Sequence, residues 1–165
     1  MRLSLRWVIS PLMAVAMILA PAQTMACIPG LQWGMDSSTV EERLNVSLET
    51  ARSLDADSSV VYRISSQHIG DIPVEELDLR FSDQGLEQLV YSLPSDSMTE
   101  VLAGLRARYG SPVSTTVNHL GQIPQQIWIW NTEEDCITAV RAAVRAEDQK
   151  FLLSYRPSRL RPSLL

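Results

Sequence analysis

The pattern His-aliphatic-Gly-x-Ile-Pro occurs twice, as His68-Ile69-Gly70-Asp71-Ile72-Pro73 and as His119-Leu120-Gly121-Gln122-Ile123-Pro124, at an offset of 51 residues. The glycine can take the positive φ of a tight turn. The proline has no N–H to give to a ladder and suits the first position of an outgoing strand. Each copy therefore predicts a hairpin. Carried forward, the offset sets Leu77 against Trp128, Leu79 against Trp130, Gly85 against Cys136, Leu86 against Ile137 and Leu89 against Val140. Apolar meets apolar at most of these steps, so the chain is expected to contain a tandem duplication.

The start of the chain points to export. Arg2 and Arg6 precede an apolar run over residues 7–20, and Pro21 leads to small residues at Ala22, Thr24 and Ala26. This predicts a secretory signal peptide over residues 1–26 and a periplasmic or secreted protein. The run is shorter than the roughly 20 residues of a spanning helix and contains Pro11, so no integral membrane span is expected after cleavage. Cys27 becomes the first mature residue. In an oxidising compartment, two cysteines predict a bridge between Cys27 and Cys136. The alternative makes Cys27 the anchor of a lipoprotein, although Thr24 and Met25 stand where such signals place leucine and a small residue.

A mature chain of 139 residues suffices for one compact domain, expected over residues 27–155. This stretch holds 19 acidic and 9 basic residues, a balance of −10. Nucleic acid is therefore not an expected partner. Residues 156–165 contain Arg156, Arg159 and Arg161 with two prolines and no periodicity, and are expected to be a disordered tail.

Along the chain, Ser38 and Glu41 have capping-box spacing, with Val40 and Leu44 on one apolar face, which predicts a short helix. Strands are expected around Val60, Tyr62 and Ile64, then Leu77, Leu79 and Phe81, then Leu89, Tyr91 and Leu93. A second helix is expected from Ser97, with Glu100 at capping-box spacing and Val101, Leu102, Leu105 and Tyr109 as its buried stripe. Gly110 and Pro112 supply its stop. Further strands follow over residues 113–117, 127–130, 137–144 and 151–155. Residues 138–150 are rich in alanine and arginine and read as helix on propensity. The repeat argues for strand there, because Leu89, Tyr91 and Leu93 fall on Val140, Ala142 and Val144. The expected fold is α+β, a tandem α-β-β-β repeat over residues 33–95 and 96–155, with helices packed on one face of an antiparallel sheet.

Trp33-Gly34-Met35 before the first helix, and Leu102-x-x-Leu105-x-x-x-Tyr109-Gly110-x-Pro112 later, resemble a loose group of small exported bacterial proteins, mostly uncharacterised. These open on Trp-Gly-Met or Phe-Gly-Met and carry a Leu-x-x-Leu-x-x-x-Tyr-Gly-x-Pro segment in the second half. The duplication is also similar in fold to β-lactamase inhibitor protein and, more distantly, to the small lipoprotein of the outer-membrane barrel-assembly machinery. The resemblance implies a fold and no activity. Asn45 stands where the group usually has a glycine, which leaves the end of the first helix open.

Sites for chemistry are sparse. His68 and His119 at matching turns offer two imidazoles, whereas a zinc site needs three or four convergent ligands, so no metal and no cofactor is expected. There is no Gly-x-Ser-x-Gly elbow, His-Glu-x-x-His or phosphate-cradling glycine loop. Glu41-Glu42, Glu75-Glu76 and Glu133-Glu134-Asp135 fall on expected turns or helix surfaces as solvated charge. The chain is expected to be non-enzymatic, without catalytic residues. A binding or scaffold module for a periplasmic protein is the first reading, an inhibitor or immunity protein against a periplasmic or secreted enzyme is the second, and a cryptic hydrolase is the third and least favoured.

The repeat register buries Leu77, Leu79, Phe81, Trp128 and Trp130 on one face. Asp78 and Arg80 then face away, as does the polar side of a half-solvated sheet. In the second unit Ile127 and Ile129 occupy that outward phase. Two isoleucines in water mark a partner surface, or else a strip covered by the tail through Leu160 or Leu164.

Overall fold

The computed structural model describes residues 28–54, 59–65, 67–119, 124–143 and 149–158. The expected signal peptide, Cys27 and residues 159–165 lie outside them. In order the elements are α1 (Ser37–Leu44), β1 (Glu49–Leu54), β2 (Ser59–Ile64), β3 (Gln67–Ile69), β4 (Ile72–Val74), β5 (Glu76–Ser82) and β6 (Gly85–Leu93). A 3₁₀ turn at Ser95–Ser97 then leads into α2 (Met98–Tyr109), β7 (Ser114–Asn118), β8 (Gln125–Asn131), β9 (Asp135–Ala143) and β10 (Gln149–Pro157). Eight strands form one sheet in the order β1-β2-β5-β6-β10-β9-β8-β7, and β3 pairs with β4 alone. Every pairing is antiparallel. Among the described residues, no helix is long and apolar enough to cross a membrane.

Both helices form where expected, but neither uses the expected capping box. Asp36 caps α1, accepting hydrogen bonds from Ser38 Oγ at 2.6 Å, Thr39 N at 2.9 Å and Thr39 Oγ1 at 2.8 Å. These three donors hold its carboxyl well below the usual carboxylate range. Glu41 turns away from the helix start and accepts from Leu48 N at 2.7 Å. Asn45 ends α1 with φ 52°, in the left-handed region that asparagine tolerates better than most residues, so glycine is not required there. At α2, the Ser97 hydroxyl donates to the Pro94 carbonyl at 2.7 Å and leaves the helix without a side-chain cap. Gly110 closes α2 with φ 77°, its N–H reaching Arg106 O.

One sheet face carries the core. Leu77, Leu79 and Phe81 of β5, Trp128 and Trp130 of β8, and Phe151, Leu153 and Tyr155 of β10 are buried, with polar or partly exposed residues between them. Val40 of α1 and Val101, Leu102 and Leu105 of α2 belong to the same apolar cluster. Both tryptophans are thus core residues, as the repeat register predicts. β9 is a strand despite its alanine and arginine content, because pairing on both sides outweighs local propensity.

Its phase is the reverse of the one predicted. Ile137 and Ala139 are buried and Val140 is only partly so, although the offset sets Val140 against the buried Leu89. A bulge explains the reversal. In β6, Phe81 pairs with Leu86 and Arg80 with Gln88, so Glu87 is an extra residue, and both Leu86 and Leu89 face the core. The β8–β9 ladder runs without a break, so the same spacing in β9 leads to the opposite face.

The two His-Gly-Pro copies occupy different contexts. The first forms the β3–β4 hairpin, with Gly70 at φ 60° and Pro73 opposite His68. Pro73 stands second in β4, after Ile72. In the second copy, residues 120–123 are outside the described region, and the flanks are β7 and β8 of the main sheet. The offset also pairs β5 with β8, which stand third and second from their respective sheet edges. β10 runs through Pro157, two residues into the stretch expected as tail, and Ser158 N donates to Glu134 O at 2.7 Å.

Candidate functional site

The sheet face opposite the core divides into an apolar part and a charged part. Across β7, β8, β9 and β10, the residues Thr116, Ile127, Val140 and Leu152 stand opposite one another in a single row. Two residues along, the next row runs Ser114, Ile129, Thr138, Ser154 and Val90, the last from β6. Ile127, Ile129, Val140, Leu152 and Val90 are all partly exposed. Paired neighbours in a ladder lie about 5 Å apart, so Ile127, Val140 and Leu152 form one continuous apolar strip.

Beyond Val90 the chemistry changes. Arg63 makes a two-pronged contact with Asp78, at 2.8 and 3.1 Å, and its remaining nitrogen lies 3.1 Å from Glu76. The hydrogen bonds from Arg63 to Asp78 also raise the guanidinium pKa further. Arg80 pairs with Glu87 at 2.8 Å and donates to Ser59 Oγ at 3.0 Å. Gln88 bridges the two parts, donating to Ser154 at 2.8 Å and accepting from Arg156 at 3.0 Å. This half is ion-paired, whereas the strip offers apolar surface and neutral hydroxyls, with the exposed Lys150 two residues from Leu152 on the same face. Such a face suits shape-matched protein contact.

Ile127 and Ile129 therefore lie on the face the sequence predicts, as do Asp78 and Arg80. Sequence reasoning did not include Val140, Leu152 and Val90 in the strip. Leu152 was accessible from the alternation of Phe151, Leu153 and Tyr155, but placing it beside Ile127 needs the strand order. Cys136 is partly exposed on this same face, with Asn131 and Arg156 as its ladder partners. Cys27 is outside the described residues, so the predicted bridge is not visible. His68 and His119 are both exposed, one in β3 and the other just after β7.

The Trp-Gly-Met segment serves as a clasp on the core side. Trp33 Nε1 donates to Asp135 Oδ1 at 2.9 Å, Gly34 N to Leu86 O at 2.9 Å and Leu86 N to Met35 O at 2.7 Å. It thereby joins the starts of β6 and β9. Asp135 is buried, and desolvation pushes its carboxyl above the ordinary value, with the Trp33 hydrogen bond acting in the opposite sense. A raised folded pKa contributes stability that is present below the unfolded value and lost as pH rises through the folded one. Asp135→Asn keeps an oxygen for Trp33 and removes the titration. The variant should gain stability relative to the unsubstituted protein as pH rises from about 4 to 7, which denaturant unfolding at several pH values measures. A constant difference across that range would rule out Asp135 as the source.

No protein-family model matches the chain, and neither the curated proteins nor the solved structures include a match.

Proposed function

We propose that this is an exported, non-enzymatic periplasmic protein that holds a protein partner on the open face of its sheet. The observation that carries this reading is the strip Ile127–Val140–Leu152, a row of partly exposed aliphatic residues, with the ion-paired residues of β2, β5 and β6 lying beyond Val90. Aliphatic side chains left in water over several strands favour association, at roughly 25 cal/mol per Å² of apolar surface covered. Ile127→Thr with Ile129→Thr should leave the melting temperature nearly unchanged and weaken retention of the partner captured from periplasmic extract by about tenfold or more. If the double variant unfolds, these residues are structural. If it folds and retains the partner fully, the surface lies elsewhere.

A second reading, an inhibitor or immunity protein against a periplasmic or secreted enzyme, is favoured by the balance of −10 over residues 27–155, which would speed encounter with a basic enzyme. An enzyme among the captured proteins, inhibited on addition of this chain, distinguishes it from a scaffold.

The finer architecture belongs to the same reading. α1 and α2 each precede four strands of the main sheet, and the order outward from the central β6–β10 pair is the same on both sides. This favours a tandem duplication with both helices on the core face, but in units of a helix and four main-sheet strands that match β5 with β9 and β6 with β10, a different register from the 51-residue offset and its α-β-β-β unit, which match β5 with β8. Export supports a bridge between Cys27 and Cys136 after removal of residues 1–26. Masses of the periplasmic protein with and without reductant test both cleavage and bridging, and a lipidated Cys27 would show as a large mass excess.

A further inference from the structure

We infer that β7 is a self-association edge, through which two copies of this chain pair antiparallel about Thr116 and join their sheets. The inference is independent of the partner-binding reading, since it concerns the edge of the sheet and not its open face. An edge strand turns alternate N–H and C=O groups away from its only neighbour and so templates another strand unless it is protected. The two edges of this sheet differ in that protection. β1 is interrupted by a register shift between Thr50 and Arg52 and carries Glu49 and Arg52. β7 pairs with β8 in unbroken register from Ser114 to Asn118, and contains neither proline nor charge.

Exposure and charge point the same way. Among the described residues, the exposed large hydrophobic side chains are Val113 at 64% and Val117 at 45%, one just before β7 and the other within it. β8, the next strand inward, is Gln125–Asn131 and is also uncharged. In a domain with a balance of −10, this two-strand margin lets two copies approach without opposing carboxylates. A two-fold axis at Thr116 sets each Thr115 opposite the other copy's Val117, and threonine opposite threonine at the centre. Such β-branched pairs suit a ladder. The interface is isologous and closes at two copies, while the shifted β1 edge disfavours head-to-tail growth. Pairing five residues covers less surface than the roughly 1,200 Å² or more of stable complexes, so the dimer should be a weak one in exchange with single copies.

The axis suggests a charge-swap test on the mature, signal-free protein. Thr116 is exposed, so Thr116→Glu and Thr116→Lys should both fold, and each sets like charges against each other across the axis. Sedimentation over a concentration series should give the unsubstituted protein an average mass rising from one copy toward two. Either variant alone should remain single, and their equimolar mixture should associate again, less so in high salt. Ile127→Thr with Ile129→Thr should associate as the unsubstituted protein does, which separates this edge from the open face. A single copy at every concentration, growth beyond two copies, or association unaffected in both charged variants would overturn the inference. Loss of association only in the isoleucine variant would overturn it equally, and would place self-contact on the face. Should one charged variant fail to fold, Thr116→Asp or Thr116→Arg, of the same sign as the variant it replaces, takes its place in the same scheme.

Discussion

Trp130→Ala should destabilise the protein by about 3–5 kcal/mol, the largest loss expected from truncating any one side chain here. Trp130 is 1% exposed and is the bulkiest fully buried side chain among the described residues. Its indole Nε1 also donates to the Gly110 carbonyl at 2.9 Å, tying β8 to the end of α2. The truncation therefore opens a cavity and also leaves a helix-terminal carbonyl without its donor. Trp130→Phe separates the two effects, since it keeps most of the apolar volume and should cost about 1–3 kcal/mol. Denaturant unfolding of both variants measures the difference. Equal losses would mean that the hydrogen bond, and not the packing, dominates at this position.

Gly85→Ala should be almost as damaging, at about 3 kcal/mol or more, although it adds only a methyl group. Gly85 has φ 90°, where any side chain is strained, and a Cβ there would overlap the Gly34 carbonyl and crowd Met35 O. These are backbone atoms held by the hydrogen bonds of the Trp-Gly-Met clasp, so they cannot swing aside as a side-chain tip could. Gly70 provides the comparison. Its φ is also positive, at 60°, but a Cβ there meets nothing within 4 Å, so Gly70→Ala should cost only about 1 kcal/mol. Similar losses at the two glycines would show that backbone strain alone, without the close approach of residues 34 and 35, accounts for the effect at Gly85.

The clasp also gives physical content to a motif that looked only like a resemblance. Trp33 supplies an indole N–H to a buried carboxylate, and Gly34, at φ 85°, brings its backbone against the turn that opens β6. These requirements explain tryptophan followed by glycine at this place without any reference to activity.

The sequence by itself determined the local periodicities. Alternation in β5, β8 and β10 put Leu77, Leu79, Phe81, Trp128, Trp130, Phe151, Leu153 and Tyr155 on the buried side, and left Asp78, Arg80, Ile127 and Ile129 on the other. A period of two is a property of neighbouring residues and can be read without knowing what pairs with what. The starts of both helices and the end of α2 at Gly110 were legible, but the end of α1 was left open, and the N-caps were missed because Ser38 and Ser97 each had a competing oxygen nearby in Asp36 and Pro94. Only the tertiary structure decided the phase of β9, because a single bulged residue at Glu87 reverses a face and leaves no local signature. Strand order was likewise decided by pairing between distant segments. It set β10 between β6 and β9, brought Leu152 and Val140 alongside Ile127, and left β7 as the uncharged edge.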